Sequence, residues 1–294
     1  MSTIPTAPIQ IVRKKITTYT FQEKKKKREP ISMLTAYDYS TAQILEQAGI
    51  DSILVGDSLG MVVLGYETTL PVTMDDMLHH CKAVARGANS PLLIGDMPFM
   101  SYQISAQEAL RNAGRFLQEA GMDAVKLEGG VARLDAIRLI ISAGIPVIGH
   151  LGLTPQSVHQ LGGFRAQGKL ATAGQHLLEE AHLLQDAGCF SIVLEAIPAK
   201  LAEHISKKLD IPTIGIGAGA GCDGQVLVTH DMLGLFNRFT PRFVKKYAES
   251  HGDLTRAFHE YIKDVENREF PAKEHCIEMK DVEWDKFISL LAKK

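Results

Sequence analysis

The sequence predicts an α/β protein that folds as a single (β/α)₈ barrel. Short apolar segments rich in β-branched residues alternate with longer segments that have the apolar spacing of helices. Eight of the short segments occur, and 294 residues comfortably hold the ~250 that one such barrel needs. Because strands that alternate with helices form a parallel sheet covered by helices, a closed barrel is favoured. An open, doubly wound sheet is the alternative, since periodicity alone does not show closure.

The strand and helix candidates alternate regularly from about residue 31 onward. Gly49, Gly121, Gly144 and Gly188 follow helical stretches, where a left-handed C-cap is expected. The predicted strands are residues 32–37, 52–56, 92–95, 124–128, 146–150, 191–195, 212–217 and 225–230. The predicted helices are residues 40–49, 74–88, 105–120, 131–143, 174–188 and 198–208.

The two ends of the chain differ from this regular middle part. Residues 1–30 are poor in acids and contain the basic run KKKKR, and we interpret them as an arm with a short helix beneath the barrel. A nucleic-acid-binding arm or an organelle transit sequence is the alternative for this segment. Residues 31–265 are the predicted catalytic barrel. Charged helical segments are expected after residue 231, with residues 266–294 as a helical tail.

The composition disfavours several classes of protein. With 32 Lys and Arg against 34 Asp and Glu, the formal net charge is −2, which gives no general attraction to nucleic acid. No apolar run reaches the ~18 residues of a membrane span. Four cysteines lie far apart without a CxxC pair, so we expect reduced thiols rather than a zinc site or disulfides. We therefore expect a cytoplasmic protein that binds neither nucleic acid nor membranes.

Ionisable side chains stand at the C-terminal ends of five successive predicted strands. In a parallel barrel these ends lie on one face, which carries the active site in barrels of this type. An ionised group after an apolar strand has no packing role, because it is seldom buried without a partner. The strand-end residues are Asp57, Asp96, Glu128, His150 and Glu195. Although His150 alone could be a hydrogen-bonded structural group, we expect all five to converge on a functional site.

The alternation of side chains along a strand adds a lysine to this set. Within the strand AVKLE, Lys126 and Glu128 point into the barrel, while Val125 and Leu127 face the helices. A buried ammonium group needs a carboxylate or an anionic ligand nearby, so packing does not explain Lys126. Asp57 could by itself be a helix cap. Capping alone, however, does not account for acids, a lysine and a histidine at successive strand ends.

The carboxylates around Lys126 indicate the chemistry of the site. Asp57, Asp96 and Glu128 are hard oxygen ligands, which suit a divalent cation such as Mg²⁺. Cysteines and paired histidines, which would favour zinc, are missing from the set. The charges of Mg²⁺ and Lys126 would together balance the three carboxylates. Such a site favours an anionic, chelating substrate such as a 2-oxo acid, and it leaves Glu195 free to act as a base.

A glycine-rich run, GIGAGAG, occupies residues 215–221 after the seventh predicted strand. A dinucleotide-binding fingerprint normally opens the first βα unit and has an acid ~20 residues later, so that interpretation is weak here. We expect instead a turn that lets the backbone approach a ligand closely.

Seven motifs are spread over about residues 20–265 of the chain, and their order and spacing are informative together. They are ISMLTAYDYSTA, DSILVGDSLGMVVLGYETTLPVTMDDMLHH, LLIGDMPFMSY, AVKLEGG, IPVIGHLGLTPQSV, SIVLEAIP and IPTIGIGAGAGCDGQVLV. In this arrangement they closely resemble the motifs of the ketopantoate (3-methyl-2-oxobutanoate) hydroxymethyltransferase family. The resemblance implies a (β/α)₈ barrel related to the phosphoenolpyruvate mutase and isocitrate lyase enzymes. It also implies one Mg²⁺ per subunit, 5,10-methylenetetrahydrofolate as co-substrate, and a homodecamer.

The resemblance implies roles for the matching residues. The metal-binding acids fall on Asp57, Asp96 and Glu128, and the proton acceptor falls on Glu195. The expected contacts of the 2-oxo acid are Asp57, Ser58, Asp96, Lys126 and His150. The chain departs from the family pattern in an extended N-terminus, at Ala196, where cysteine is frequent, and in its longer C-terminal tail. None of these departures touches the positions expected to carry the chemistry.

The implied reaction transfers a hydroxymethyl group from 5,10-methylenetetrahydrofolate to 3-methyl-2-oxobutanoate, giving 2-dehydropantoate for pantothenate synthesis. Residues 151–173, a long connection after the fifth predicted strand, are the candidate lid. The alternative is a Mg²⁺-dependent C–C or P–C lyase or mutase of 2-oxo acids on the same barrel. Such an enzyme would carry a cysteine on a mobile loop, and none of the four cysteines lies in residues 151–173.

Overall fold

The computed structural model describes residues 13–292, in which eight strands form one closed parallel barrel in chain order. Residues 1–12 of the predicted arm and residues 293–294 lie outside the described part. The strand β8 closes the barrel by pairing with β1, with Met33 opposite Val226. This closure confirms the predicted barrel over the open sheet. The strands are β1 Ile31–Thr35, β2 Ser52–Val55, β3 Leu92–Asp96, β4 Ala124–Glu128, β5 Val147–Gly152, β6 Ser191–Glu195, β7 Thr213–Ile216 and β8 Gly224–Leu227.

Between the strands, helices cover the outside of the barrel close to the predicted positions, and further helices precede the first strand and follow the last one. They are α1 Thr18–Lys27, α2 Tyr39–Ala48, α3 Leu59–Val62, α4 Met74–Gly87, α5 Ala106–Ala120, α6 Leu134–Ser142, α7 Ala171–Asp186, α8 Ala199–Lys208, α9 Thr229–Met232, α10 Ser250–Glu266 and α11 Asp281–Leu291. Local capping fixes their ends: at α2 the Asp38 carboxylate accepts from the Thr41 N–H at 2.8 Å, and Gly49 ends the helix in the left-handed conformation.

Two apolar layers hold the barrel together. Inside it, Ile94, Ile148 and Val193 belong to one buried cluster. Val125 and Leu127 pack outside it, in the cluster shared with the helices. The alternation predicted for strand β4 is therefore confirmed. Apolar side chains fill the interior, and the inward-pointing ionisable groups lie toward the C-terminal ends of the strands.

Helix α1 closes the N-terminal end of the barrel. Its Phe21 is fully buried in the cluster that fills the barrel interior. Two lysines of the basic run bind aspartates that precede strands. Lys24 Nζ lies 2.6 Å from Asp51 Oδ2, and Lys25 Nζ lies 2.8 Å from Asp223 Oδ2. The short helix beneath the barrel is therefore present, but these two lysines are paired and not simply solvated.

The glycine-rich run joins β7 to β8 without an intervening helix. A Cβ on Gly221 would meet the Glu203 Cβ at 2.5 Å, and a Cβ on Gly219 would collide with Ala199. Both neighbours lie in α8, so the glycines allow the chain to pack directly on that helix. Gly219 and Gly221 thus serve packing on a helix, and the close approach of this turn to a ligand stays a prediction.

After β8 the chain departs from the expected course. Residues 233–249 form neither helix nor strand, and several of them reach the C-terminal face of the barrel. The expectation that helical segments follow directly after residue 231 is therefore wrong for this stretch. Helices α10 and α11 come next and have no buried residue. Among residues 13–292, no helix combines the length and apolarity that crossing a membrane requires.

Candidate active site

The C-terminal ends of strands β2 to β6 bring the candidate polar groups to one face of the barrel. All of them line a single cavity of about 410 Å³. Those of β2 to β5 are at most 4% exposed, apart from the half-buried Ser58. The candidate residues that line the cavity are Asp57, Ser58, Asp96, Lys126, Glu128, His150 and Glu195. Groups that are far apart in the sequence are thus neighbours in the fold.

Lys126 offsets part of the negative charge of this cluster. Its Nζ lies 2.9 Å from Asp96 Oδ1. Burial alone lowers the pKa of Lys126, but Asp96, Glu128 and Asp57 outweigh burial, and the net effect raises this pKa. Burial, with Asp96 and Glu128 nearby, raises the pKa of Asp57 well above its ordinary value. A single ammonium group therefore leaves the buried acids under-compensated, and the cluster favours further positive charge.

His150 connects the lysine to the acid at the end of β6. Its Nδ1 lies 3.2 Å from Lys126 Nζ, and its Nε2 lies 3.1 Å from Glu195 Oε2. Burial and Lys126 lower the pKa of His150, but Glu128 and Glu195 outweigh them and raise it to about 9. His150 Nε2 has no hydrogen-bond partner within residues 13–292, so its contact with Glu195 is one of proximity and charge. The Glu195 side chain is 15% exposed, so its carboxylate faces the cavity.

A pair of hydroxyl groups stands beside Asp57. The Tyr37 hydroxyl and Ser58 Oγ are 2.9 Å apart, and burial raises the pKa of Tyr37, so its hydroxyl keeps its proton. The Asp57 N–H donates to Asp96 Oδ2 at 3.2 Å, which ties the end of β2 to the end of β3. Tyr37 thus holds the Ser58 hydroxyl at the edge of the acidic cluster, where it could donate to an anionic substrate.

Gln156, which the sequence analysis missed, links the acids to one another. Its Nε2 donates to Asp57 Oδ2 and to the Met97 carbonyl, both at 2.9 Å. Its backbone N–H donates to Glu128 Oε2 at 3.0 Å, and its Oε1 accepts from the Tyr102 hydroxyl at 2.6 Å. The residue lies within a motif of the family, but a neutral side chain in a loop gives no signal comparable to a charge at a strand end.

The fit of these acids to a divalent cation can be judged from their oxygens. Glu128 Oε1 is buried and has no hydrogen-bond partner within residues 13–292. In the same residues no three His, Cys, Asp or Glu side chains are grouped so as to hold a metal by themselves. Mg²⁺ usually takes one or two carboxylates and completes its shell with water and substrate oxygens. The donor set, hard oxygens with surplus negative charge, therefore fits Mg²⁺.

Aromatic side chains line the same cavity as the acids. They come from the loop after β5 and from the irregular stretch after α9. Asp231 and Arg242 also line the cavity. The aromatic residues are Phe164, Phe236, Phe239 and Phe243. The sequence analysis missed this wall, because aromatic residues in a segment without helix or strand follow no period that would mark them.

The fold is shared with enzymes of known structure. Phosphonopyruvate hydrolase superposes with a TM-score of 0.59 at 11% identity, covering 96% of this chain and 99% of that one. For 2,3-dimethylmalate lyase, a member of the PEP mutase/isocitrate lyase superfamily, the TM-score is 0.57 at 15% identity, with 94% and 98% covered. These similarities confirm the predicted type of barrel.

The sequence itself matches closer relatives. Residues 15–273 match the family model of ketopantoate hydroxymethyltransferase. A 3-methyl-2-oxobutanoate hydroxymethyltransferase from Syntrophus aciditrophicus is 60% identical over 262 residues, 89% of this chain and 96% of that protein. One of the same name from Enterococcus faecalis is 55% identical over 267 residues, 91% of this chain and 97% of that protein. The chain therefore belongs to the ketopantoate hydroxymethyltransferase family.

Proposed function

We propose that this protein transfers a hydroxymethyl group from 5,10-methylenetetrahydrofolate to 3-methyl-2-oxobutanoate and forms 2-dehydropantoate. The observation that carries this proposal is the arrangement of Glu195 in one cavity with Asp57, Asp96 and Lys126. A 2-oxo acid needs its carboxylate and keto oxygens held by positive charge while a base reaches the neighbouring carbon. For the first task the cavity offers a lysine and an acid cluster that can hold a cation, and for the second it offers a separate carboxylate.

Asp57, Asp96 and Glu128 would together provide the carboxylate oxygens for one Mg²⁺ per subunit, and water and substrate oxygens would complete its shell. When bound, Mg²⁺ would supply Lewis-acid stabilisation of the negative charge that develops on the keto oxygen. Lys126 and Ser58 would bind the carboxylate end of the substrate, with His150 beside it. Asp96 holds the ammonium group of Lys126 in place, so the lysine presents a fixed donor to the substrate and needs no reorganisation.

Glu195 would take the proton from C3 of the 2-oxo acid. His150, 3.1 Å from this carboxylate, would fix its orientation toward the substrate. The one-carbon unit is bonded to both N5 and N10 of the folate. Its carbon forms one bond to C3 and one to the oxygen of a water molecule, while both of its bonds to nitrogen break. The proton from C3 and one proton from the water end on the two nitrogens. The loop of residues 151–173, which carries Gln156 and Phe164, would limit the access of other water to the reaction.

We further propose that the protein acts in the cytoplasm as a homodecamer. The exposed apolar side chains of α10 and α11, among them Phe258, Tyr261, Trp284 and Phe287, support an assembled state. Light scattering of the purified full chain measures the subunit number. A monomer at the concentration of the activity assay would contradict the decamer without affecting the proposed reaction.

The decisive experiment supplies the purified protein with 3-methyl-2-oxobutanoate, 5,10-methylenetetrahydrofolate and Mg²⁺. We expect 2-dehydropantoate and tetrahydrofolate in equal amounts, and we expect a chelator to stop the reaction until Mg²⁺ is restored. Cleavage of a 2-oxo acid without folate would favour the lyase alternative. Absence of product under all these conditions would overturn the proposed function.

A further inference from the structure

Asp231 is a carboxylate in the cavity that the proposed chemistry does not use. It lies in α9, directly after β8, and it lines the same cavity as the acid cluster. Its side chain makes no ion pair and accepts no hydrogen bond from any residue of the described range 13–292. Burial raises the pKa of Asp231 to about 6. A partly buried acid that faces a cavity without a partner has its hydrogen-bonding capacity available to a ligand.

The surroundings of Asp231 restrict what this ligand can be. Phe236, Phe239 and Phe243 line the same cavity as Asp231, and Phe239 and Phe243 are 49% and 39% exposed. Exposed aromatic faces at a cavity mouth suit a flat ring that can stack on them. A carboxylate beside such faces adds two acceptor oxygens, which suit a ring edge with two adjacent N–H donors.

We propose that Asp231 binds the 2-amino-4-oxopyrimidine edge of the pterin ring of the folate co-substrate. This inference rests on the proposed function, in which a tetrahydrofolate must enter the cavity. The ring N3–H and the 2-amino group form two parallel donors, and both oxygens of one carboxylate can accept from them. The aromatic side chains would stack on the ring, while Asp231 fixes its rotation and thus the position of its N5 atom.

The position of Asp231 on the barrel agrees with this role. It follows β8, whereas Glu195 ends β6 and the acid cluster lies at the ends of β2 to β4. The ring would therefore enter beside β8 and extend over the cavity toward Glu195. The anionic glutamate of folate would be repelled by Asp231, so it would point away, and Arg242 in the same wall offers a positive charge for it.

The test uses binding to the full-length protein and needs no turnover. In the wild-type protein a tetrahydropterin should bind about 10- to 100-fold more tightly than its 2-oxo analogue, because the analogue presents an acceptor to the carboxylate where the pterin presents a donor. Calorimetric titration of both compounds measures this preference. Equal affinities for the two compounds would overturn the proposal without the use of any variant.

Variants provide the second arm of the test. In Asp231→Asn, tetrahydrofolate should bind about 10- to 100-fold more weakly, and the Michaelis constant for 5,10-methylenetetrahydrofolate should rise by a similar factor. The Michaelis constant for 3-methyl-2-oxobutanoate should change much less. Asp186→Asn, at an exposed position at the end of α7, is the matched control and should leave these constants unaltered.

The two failures are distinguishable. If the wild-type protein forms 2-dehydropantoate while Asp231→Asn binds tetrahydrofolate as well as Asp186→Asn does, the role of Asp231 is wrong and the proposed function stands. If the wild-type protein forms no 2-dehydropantoate, the proposed function itself fails.

Discussion

At the scale of single residues, the acids of the site have too little positive charge near them, and this shortage favours the binding of a cation. Lys126 is paired with Asp96, so its ammonium group is not fully available to Asp57 and Glu128. The raised pKa of Asp57 expresses this shortage, since its ionised form lies next to other carboxylates away from water. A divalent cation would remove the conflict. An anionic substrate would also bind more easily once the cluster is neutral.

Replacement of Glu195 tests whether this residue is the base. In Glu195→Gln, the exchange of the C3 hydrogen of 3-methyl-2-oxobutanoate for deuterium, measured by NMR with Mg²⁺ and without folate, should slow by about 10²- to 10⁴-fold. The amide has nearly the same shape but cannot accept the proton. Glu179→Gln, at an exposed position in α7, is the control. Exchange at the wild-type rate in Glu195→Gln would assign the base to another residue.

Gln156 should matter for stability as well as for the site. Gln156→Leu leaves Asp57 Oδ2, the Met97 carbonyl and the Tyr102 hydroxyl without their buried partner, and we expect the free energy of unfolding to fall by about 2–4 kcal/mol. Urea denaturation measures the change. The same substitution at the exposed Gln175 should cost no more than about 0.5 kcal/mol. A stable Gln156→Leu protein would show that these contacts are dispensable.

The sequence allowed the positions of the charged residues, but not of Gln156, to be predicted. Asp57, Asp96, Glu128 and Glu195 follow apolar strands, and parallel strands share one C-terminal face, so topology alone brings them together. Gln156 reaches them from a loop, and its burial results from the path of that loop over the barrel. Neither charge nor period marks such a residue in advance.

At the scale of secondary-structure elements, glycines determine how closely helices approach the strands. Gly95 in β3 faces α5, and a Cβ at this position would collide with the ring of Phe116. Gly95→Ala should therefore lower the free energy of unfolding by about 1–3 kcal/mol, because the helix must shift. Gly114 in the middle of α5 has open space around its Cα. Gly114→Ala should raise the same quantity by about 0.5–1 kcal/mol, since alanine favours a helix.

Urea denaturation of both variants compares one substitution at two sites on the same helix–strand pair. Changes of opposite sign in the free energy of unfolding would support the view that the glycine in the strand is needed for close packing. A neutral or stabilising Gly95→Ala would mean that α5 can move away from β3 at little cost.

The elements themselves follow closely from local patterns, and the exceptions have a physical cause. Strands and helices were predictable because each has an apolar period and, often, a glycine at its end. The packing of the run GIGAGAG on α8 was not predicted, because conformational freedom in glycine can serve packing against a helix as well as approach to a ligand. The stretch of residues 233–249 was also misread. Several of its apolar side chains line the cavity, and their positions in the sequence do not follow the period of a helix.

At the scale of the whole molecule, aspartates that precede strands tie the N-terminal end of the barrel together. Asp51 accepts from the backbone N–H of Ser32 on the neighbouring strand at 2.9 Å. It also pairs with Lys24 and Arg13 of the N-terminal segment. Closure of the barrel was predictable from the number of strands. The ion pairs by which the basic run holds α1 beneath the barrel were not predictable, because their partners Asp51 and Asp223 lie far away in the sequence.

The ionisation of Asp51 makes the free energy of unfolding depend on pH. Burial raises the pKa of Asp51, but Lys24 and Ser32 outweigh burial and lower it below its ordinary value. A carboxyl group with a depressed folded-state pKa stabilises the fold above its unfolded-state pKa, about 3.9, and the stabilisation is lost as pH falls through the folded-state value. Asp51→Asn should thus lower the free energy of unfolding at neutral pH by about 2–4 kcal/mol, because Lys24 loses its charged partner.

The difference between wild type and Asp51→Asn should stay constant from neutral pH down to about pH 5 and then shrink, because protonation removes the charge that the variant already lacks. Urea denaturation of both proteins across this range measures it. Asp135→Asn, at an exposed position in α6, controls for the general effect of acid. A difference between wild type and Asp51→Asn that does not change with pH would mean that the hydrogen bonds of Asp51, and not its charge, hold α1 against the barrel.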